Sequence, residues 1–281
     1  MDDLCESSEP VTLTDRRRFA IPRGVRLYGA ELHDEALRLS HPISPTGALV
    51  VALLDRGFTV TEVAGALSAR WHLDRERARR DVDAFVAQLS EAMLLTERPG
   101  APWRTWPRGL RAAMLSVVTH QPPRAQPRRF PLRRGSPVTM VTDIARGVLI
   151  GLGWWWLALT LVSTLLVLAD DSPLAVLVLV PALFGATVAH EVGHAAAVAS
   201  RGAGCFLRVR GLAVAVVHTR DAGGVRVHAS GALLSAALGI TLLAIAAIAG
   251  MGWLALATTP FLAQLVTLTV LFGDGRRIAT A

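Results

Sequence analysis

Four long apolar segments in the second half of the chain limit its fold more than any other feature. They cover about residues 147–169, 174–200, 231–250 and 252–272, and each is close to the ~20 residues that cross hydrocarbon as a helix. Backbone polar groups have no water to bind in lipid, so such segments must be helical. Hydrophobic residues make up 52% of the chain, and the mean hydropathy is +0.43. The sequence therefore predicts a multi-pass α-helical membrane domain of about four transmembrane helices at residues 147–281.

The arginines predict how these segments are oriented. The net charge is +7, and all 29 basic residues are arginine. Arginines precede the first segment and follow the second and the fourth, whereas the turn between the first two carries Asp170 and Asp171. Because positive residues stay on the cytosolic side, we expect both termini in the cytosol and the chain in the inner (cytoplasmic) membrane. The basic charge thus indicates orientation in a lipid bilayer, and no nucleic-acid partner is expected.

The second segment ends in the sequence His190-Glu191-Val192-Gly193-His194. On a helix the spacing of four residues places both imidazoles on one face, where they can reach a single ion. Neutral imidazole is a good ligand of Zn²⁺, and a neighbouring carboxylate can move a proton from water to a leaving amine. The alternative is two helix histidines that flank a glutamate by chance. The apolar surroundings favour the functional interpretation, because an ionisable cluster in hydrocarbon is costly.

A zinc hydrolase needs three protein ligands and one open position. The predicted orientation places Asp274, which follows the fourth segment, on the same side as the histidine motif. Asp274 is therefore the preferred third ligand, although it could also be a capping or interfacial aspartate. His218 and His228 compete for this role, but residues 209–217 and 225–227 have the pattern of a β-hairpin with surface histidines.

The first half of the chain predicts a soluble α+β domain of the winged-helix type at residues 16–98, after a flexible tail at 1–15. Residues 25–28 and 36–39 alternate as two strands, with a polar turn at residues 33–35 between them. Three helices should follow, and Gly57 should close the first of them. Their predicted start signals are Ser44-Pro45, a capping box from Thr59 to Glu62, and Asp74. The third helix mixes acidic and basic residues, which does not suit a phosphate-binding surface.

This region resembles the PqqD-like domains, which hold leader peptides in pathways that make ribosomal peptide natural products. The resemblance covers residues 11–98 and depends on the strand pair, on Ile43-Ser-Pro-Thr-Gly-Ala and on Leu53-Leu-Asp-Arg-Gly. It implies that a peptide adds a strand to the sheet edge and packs on the third helix. The groove would lie between residues 25–30 and 81–89, with candidate contacts at Val25, Leu27, Val82 and Phe85. The alternative is an inert folded extension.

Residues 99–146 are rich in proline and arginine and predict a linker between the two domains. Its tryptophans, Trp103 and Trp106, suit either the membrane interface or packing. Its basic stretch should attract anionic headgroups; the arginines concerned are Arg124, Arg128, Arg129, Arg133 and Arg134. The two cysteines, Cys5 and Cys205, are far apart in sequence and indicate neither a disulfide framework nor a cysteine zinc site.

The membrane half resembles the site-2 protease family of intramembrane zinc metalloproteases over residues 174–278. Its most specific part is Ala189-His-Glu-Val-Gly-His-Ala. The resemblance implies that His190, His194 and Asp274 bind zinc and that Glu191 activates water. The chain departs from the family at residues 230–235 and at Val266 and Thr269, where the family has Gly-Pro, Asn and Pro. Ser235 is the candidate for the missing substrate-positioning group.

Together these observations suggest a membrane-embedded zinc metalloendopeptidase, a hydrolase that removes a leader from a precursor peptide. The product would be a ribosomally synthesised, post-translationally modified peptide natural product. Two alternatives stay open at this point. One is an intramembrane protease that cuts a membrane-anchored regulator. The other is a non-catalytic membrane protein that binds the peptide or confers immunity.

Overall fold

The protein is described by a computed structural model that covers residues 17–98, 128–133, 135–169, 175–210, 213–219 and 222–268. The chain forms two compact units, Met1–Arg111 and Ala112–Ala281. Several predictions fall outside the described residues: the tail at 1–15, most of the linker with its two tryptophans and with Arg124 and Arg134 of its basic stretch, the end of the fourth apolar segment, and Asp274.

The first unit contains a three-stranded antiparallel sheet, where the sequence predicted a single pair of strands. The strands pair in the order β2-β3-β4; they are β2 (Val25–Tyr28), β3 (Glu31–Asp34) and β4 (Leu39–Pro42). The predicted turn at residues 33–35 was therefore wrong. The first turn lies at Gly29, whose φ of +57° suits glycine. Asp34 instead ends β3, where its buried carboxylate accepts a hydrogen bond from Leu37 N at 3.0 Å.

Three helices follow the sheet, and their predicted starts are confirmed. They are α1 (Pro45–Asp55), α2 (Val60–Trp71) and α3 (Arg75–Glu91). Ser44 Oγ accepts from Gly47 N, Thr59 and Glu62 form a reciprocal capping box, and Asp74 accepts from Arg77 N. Each bond satisfies an amide that the helix itself leaves open. Two short strands, β1 (Phe19–Ala20) and β5 (Thr96–Glu97), pair with each other at the ends of this unit.

The second unit is built from apolar helices: α4 (Pro137–Ala169), α5 (Ala175–Ala199), α6 (Val225–Ala249) and α7 (Gly252–Ala263), with a 3-10 turn at Gln264–Leu268. Within the described residues, two helical stretches, Leu177–Ala199 and Val225–Ala249, are long and apolar enough to cross a membrane. The helix α4 bends by 70° between Pro137–Gly153 and Trp155–Leu165. If these two parts count as one span, the number of candidate spans rises to three. The apolar stretch Leu254–Leu268 is shorter. The structure thus supports two or three of the four predicted spans.

A second sheet packs on these helices and changes two expectations. It has the order β6-β7-β8, with β6 (Arg128–Pro131), β7 (Cys205–Arg210) and β8 (Ala213–His218). The predicted linker therefore ends earlier than expected, because β6 pairs with β7 and α4 already begins at Pro137. The predicted strand at 225–227 was also wrong, since these residues open α6. Residues 227, 228, 231, 232 and 235 are buried there, a spacing that fits one face of a helix.

Glycines in α4 bring this sheet close to the helices. A Cβ atom on Gly147 would lie 2.6 Å from Leu207 Cδ2, and one on Gly151 would lie 2.8 Å from Val209 Cγ2. Both distances are too short for a real side chain, so α4 can approach β7 this closely only with glycine. The inner face of the sheet, which carries Leu207, Val209 and Val216, forms a core cluster with Ile144 and Val148 of α4.

Candidate metal centre

The histidine motif lies on α5 and is buried, as the sequence predicted for an apolar segment. His190, Glu191 and His194 expose only 7%, 5% and 8% of their surfaces. The helix supplies the geometry directly, because residues four apart stand one turn above each other. Polar groups buried to this extent need partners, and neighbouring elements provide them for Glu191 and His194.

The two imidazoles converge on one point. His190 Nε2 and His194 Nε2 lie 3.0 Å apart. Two nitrogens at this separation subtend about 95° at an ion ~2.05 Å from each, which is close to the range that a zinc site uses. His194 Nδ1 lies 2.6 Å from the carbonyl oxygen of Val227. A carbonyl only accepts, so Nδ1 carries the hydrogen and Nε2 keeps its lone pair for a ligand bond.

Two glycines leave room for this pair between α5 and α6. A Cβ atom on Gly231 would lie 2.5 Å from His194 Nε2 and 2.7 Å from the carbonyl oxygen of His190. A Cβ atom on Gly193 would lie 2.4 Å from the carbonyl oxygen of Ser230. Close helix crossings of this kind depend on small residues. The space beside the Nε2 atoms is therefore a cradle that any larger residue at position 231 would fill, and these residues fit a bound metal ion.

Glu191 faces a different neighbour from the histidines. One of its carboxylate oxygens, Oε2, accepts a hydrogen bond from the backbone amide of Val216 in β8 at 2.8 Å. β8 is the last strand of its sheet, and it bonds to β7 on its other side. The Val216 amide thus points away from β7 and towards α5. This backbone donor satisfies one oxygen of the buried carboxylate and fixes the orientation of the side chain.

The second pair of histidines does not join the first. The rings of His218 and His228 lie 6.0 Å apart, and His218 Nδ1 donates to the Thr219 carbonyl oxygen at 2.7 Å. The prediction that both are surface residues was wrong for His228, which lies on α6 and is 8% exposed. Across the described ranges, no group of three His, Cys, Asp or Glu residues could hold a metal ion. A third ligand from Asp274 stays a prediction.

Ser235 lies where α5, α6 and α7 meet, and it is completely buried. Its hydroxyl group lies 3.3 Å from the carbonyl oxygen of Phe261 and 3.5 Å from that of Ala186. Both carbonyls belong to neighbouring helices, so the hydroxyl links the helices to each other. The substrate-positioning role expected for Ser235 stays a prediction.

Two of the four peptide contacts expected in the first unit belong to its core. Val25 and Val82 are 5% and 2% exposed and pack in the cluster between the sheet and the helices. Leu27 and Phe85 are half-buried at the edge of that cluster. The ring of Phe85 covers the start of α1, where a Cβ atom on Gly47 would lie 2.9 Å from it. Leu27 and Phe85 are thus the two that keep exposed surface for a peptide.

Comparison with known proteins identifies one family in the first unit. Residues 41–95 match the family model of coenzyme PQQ synthesis protein D (PqqD), a stretch that includes all three helices of this unit. This match supports a peptide-recognition domain in the amino-terminal unit. Neither a search of curated proteins nor a search of solved structures found a match to the chain.

Proposed function

We propose that this chain is a membrane-embedded zinc metallopeptidase that removes the leader of a precursor peptide during maturation of a ribosomally synthesised, modified peptide. The observation that carries the proposal is the convergence of two buried Nε2 atoms, 3.0 Å apart, with the Glu191 carboxylate on the next residue of the same helix. The PqqD match favours a precursor peptide over a membrane-anchored regulator as the substrate.

The residues have distinct roles in this proposal. His190 and His194 hold the ion through Nε2, and Asp274 is the proposed third ligand. When bound, zinc polarises the scissile carbonyl and makes water a stronger acid. The Glu191 carboxylate takes one proton from the attacking water, whose oxygen forms the new bond to the carbonyl carbon. The same carboxyl group then delivers the proton to the amide nitrogen as the C–N bond breaks.

The first unit supplies the substrate in this proposal. The outer edge of β2, which pairs with no other strand in the part of the chain that the structure describes, offers backbone contacts to an extended leader. Leu27 and Phe85 offer apolar contacts. Because both units belong to one chain, a bound leader stays at a high effective concentration near the metal site. A weak contact with the first unit is therefore sufficient. We place both termini in the cytosol, where ribosomal peptides are made, on the arginine distribution alone.

The proposal is tested by metal content and by cleavage. The full chain, purified in detergent, should hold one zinc ion, and the His190→Ala and Asp274→Asn variants should lose it. The Glu191→Gln variant should keep zinc but should not cleave a precursor peptide encoded next to this gene. Glu62→Gln, a matched change in the first unit, should cleave normally. Cleavage by Glu191→Gln at the parental rate would refute the mechanism, and a parent that binds zinc but cuts no peptide would indicate a binding protein.

A further inference from the structure

The carbonyl group that orients His194 belongs to the first turn of α6. Val227 is the third residue of that helix, and its oxygen lies 2.6 Å from His194 Nδ1. The start of α6 has no side-chain cap, because the residue before it is Gly224. The φ of Gly224 is +132°, a backbone conformation that favours glycine. The position of the Val227 carbonyl therefore depends on what holds the residues that lead into α6.

Arg201 holds these residues. It lies two positions after the end of α5, the helix that carries the histidine motif. Its Nη1 atom donates hydrogen bonds to the carbonyl oxygens of Ala222, at 2.8 Å, and Gly223. The guanidinium group also packs on Gly224, where a Cβ atom would lie 3.5 Å from Nη1. Arg201 thus ties the end of one helix to the start of the other.

Apolar packing at this place is less directional than the hydrogen bond it has to support. Val198 of α5 forms a small buried cluster with Ala222 and Val227, but contacts between aliphatic side chains have no preferred direction. A hydrogen bond weakens steeply when its atoms are misaligned. A cation beside the first turn of a helix is unfavourable, so the guanidinium group of Arg201 depends on its carbonyl partners to lie there. These contacts favour a specific role for Arg201 in placing the start of α6.

We propose that Arg201 is a positioning residue of the candidate metal centre. By holding residues 222–224, it keeps the Val227 carbonyl oxygen at His194 Nδ1. Nδ1 then carries the hydrogen, and Nε2 keeps its lone pair for the ion. An arginine after a membrane segment also suits the cytosolic side, but that role depends on charge and not on these contacts. The inference rests on the proposed function for its metal ion, whereas the tautomer of His194 can be measured without metal.

The test compares Arg201→Met with the parent, using the full chain in detergent. Methionine retains an apolar stem but has no hydrogen-bond donor. The first measurement is the tautomer of His194 in the metal-free protein, by NMR of labelled imidazole nitrogens at about pH 8, where imidazole is ordinarily neutral. The signal is assigned through its loss in His194→Gln. The parent should carry the hydrogen on Nδ1, and Arg201→Met should show a mixture of tautomers, because the bonding partner selects the tautomer.

The second measurement is zinc affinity, by competition with a chelator. It should fall about 10-fold in Arg201→Met, as expected when a metal ligand loses its supporting partner. Arg201→Lys keeps a donor on a shorter stem and should fall between the parent and Arg201→Met in both measurements. The matched control is Arg226→Met, because Arg226 is an exposed arginine in the first turn of α6. It removes the same charge and should match the parent.

Three outcomes would overturn the proposal. One is a parental His194 tautomer in Arg201→Met, and another is an equal loss of zinc affinity in Arg226→Met, which would show that only charge matters. The third is a lower unfolding temperature of Arg201→Met with zinc affinity unchanged, which would show a purely structural role. A parent that binds no zinc would refute the proposed peptidase, whereas a tautomer change in Arg201→Met would still support the positioning role.

Discussion

Substitution of Gly231 by alanine gives the most direct test of the metal centre. The new Cβ atom would lie 2.5 Å from His194 Nε2 and 2.7 Å from the carbonyl oxygen of His190. Ordinary contacts lie at ~3.5 Å, so about 1 Å of movement is needed. Either α6 moves away from α5, or the His194 ring leaves its position. Movement of α6 would take the Val227 carbonyl oxygen away from His194 Nδ1. Movement of the ring would displace Nε2 by more than the ~0.2 Å that a zinc ligand tolerates.

We expect Gly231→Ala to weaken zinc binding by about 100-fold or more, since even a lost partner of a ligand costs 10–100-fold. The free energy of unfolding should fall by about 1–3 kcal/mol through overpacking. The matched control is Gly239→Ala in the same helix, where the new Cβ atom would lie 2.8 Å from Phe261 Cβ. It should lower stability by a similar amount and keep zinc. Zinc affinity is measured by competition with a chromophoric chelator, and stability by thermal unfolding in detergent.

The reasoning would be wrong if Gly231→Ala bound zinc as tightly as the parent. It would also be wrong if Gly239→Ala lost zinc to the same extent, because the effect would then come from general strain between the helices. The ion lies beside His194 Nε2 only if Gly231→Ala loses zinc and Gly239→Ala retains it.

Two further predictions concern titratable groups outside the spans. Hydrogen bonds from the Thr59 backbone and side chain lower the pKa of Glu62, so its stabilising effect is complete above the unfolded value of ~4.3 and is lost as the pH falls through the folded value. Amide exchange in the first turn of α2, corrected for the intrinsic rate, should accelerate below about pH 4 in the parent and not in Glu62→Gln. Burial raises the pKa of the Cys205 thiol to about 11. In a Cys5→Ser variant, maleimide at pH 8 should therefore label the folded chain roughly 100-fold more slowly than the denatured chain.

The helices of the first unit were predictable because their signals are local. Ser44, Thr59 and Asp74 each accept a hydrogen bond from the amide three residues further on, so both partners lie within one short stretch of sequence. The sheet was less predictable. The polar run at residues 33–35 resembles a turn, but Asp34 is buried at the end of a strand and organises the turn that follows it. Strand register depends on burial as well as on alternation.

The second sheet could not be predicted because its partners are distant in sequence. Arg128 pairs with Val209 across a long apolar helix and the histidine helix. The proline and arginine content of this region suggested a linker, and no local pattern indicates that residues 128–131 complete a sheet. The sequence indicates a closely packed neighbour of α4 only through Gly147 and Gly151, because small residues four apart in an apolar helix are typical of close packing.

The contrast between local signals and distant partners also explains how much of the candidate metal centre was predictable from the sequence. The motif predicted two imidazoles on one helix face, but it could not show which elements meet them. Two neighbouring elements contact different residues of the motif. The Val227 carbonyl oxygen of α6 orients His194, and the Val216 amide of β8 holds Glu191. The proposed metal-binding nitrogens and the proposed base thus have different supporting partners. A change in α6 should alter metal affinity, measured by competition with a chelator, whereas a change in β8 should lower the cleavage rate of the zinc-loaded protein without releasing the ion.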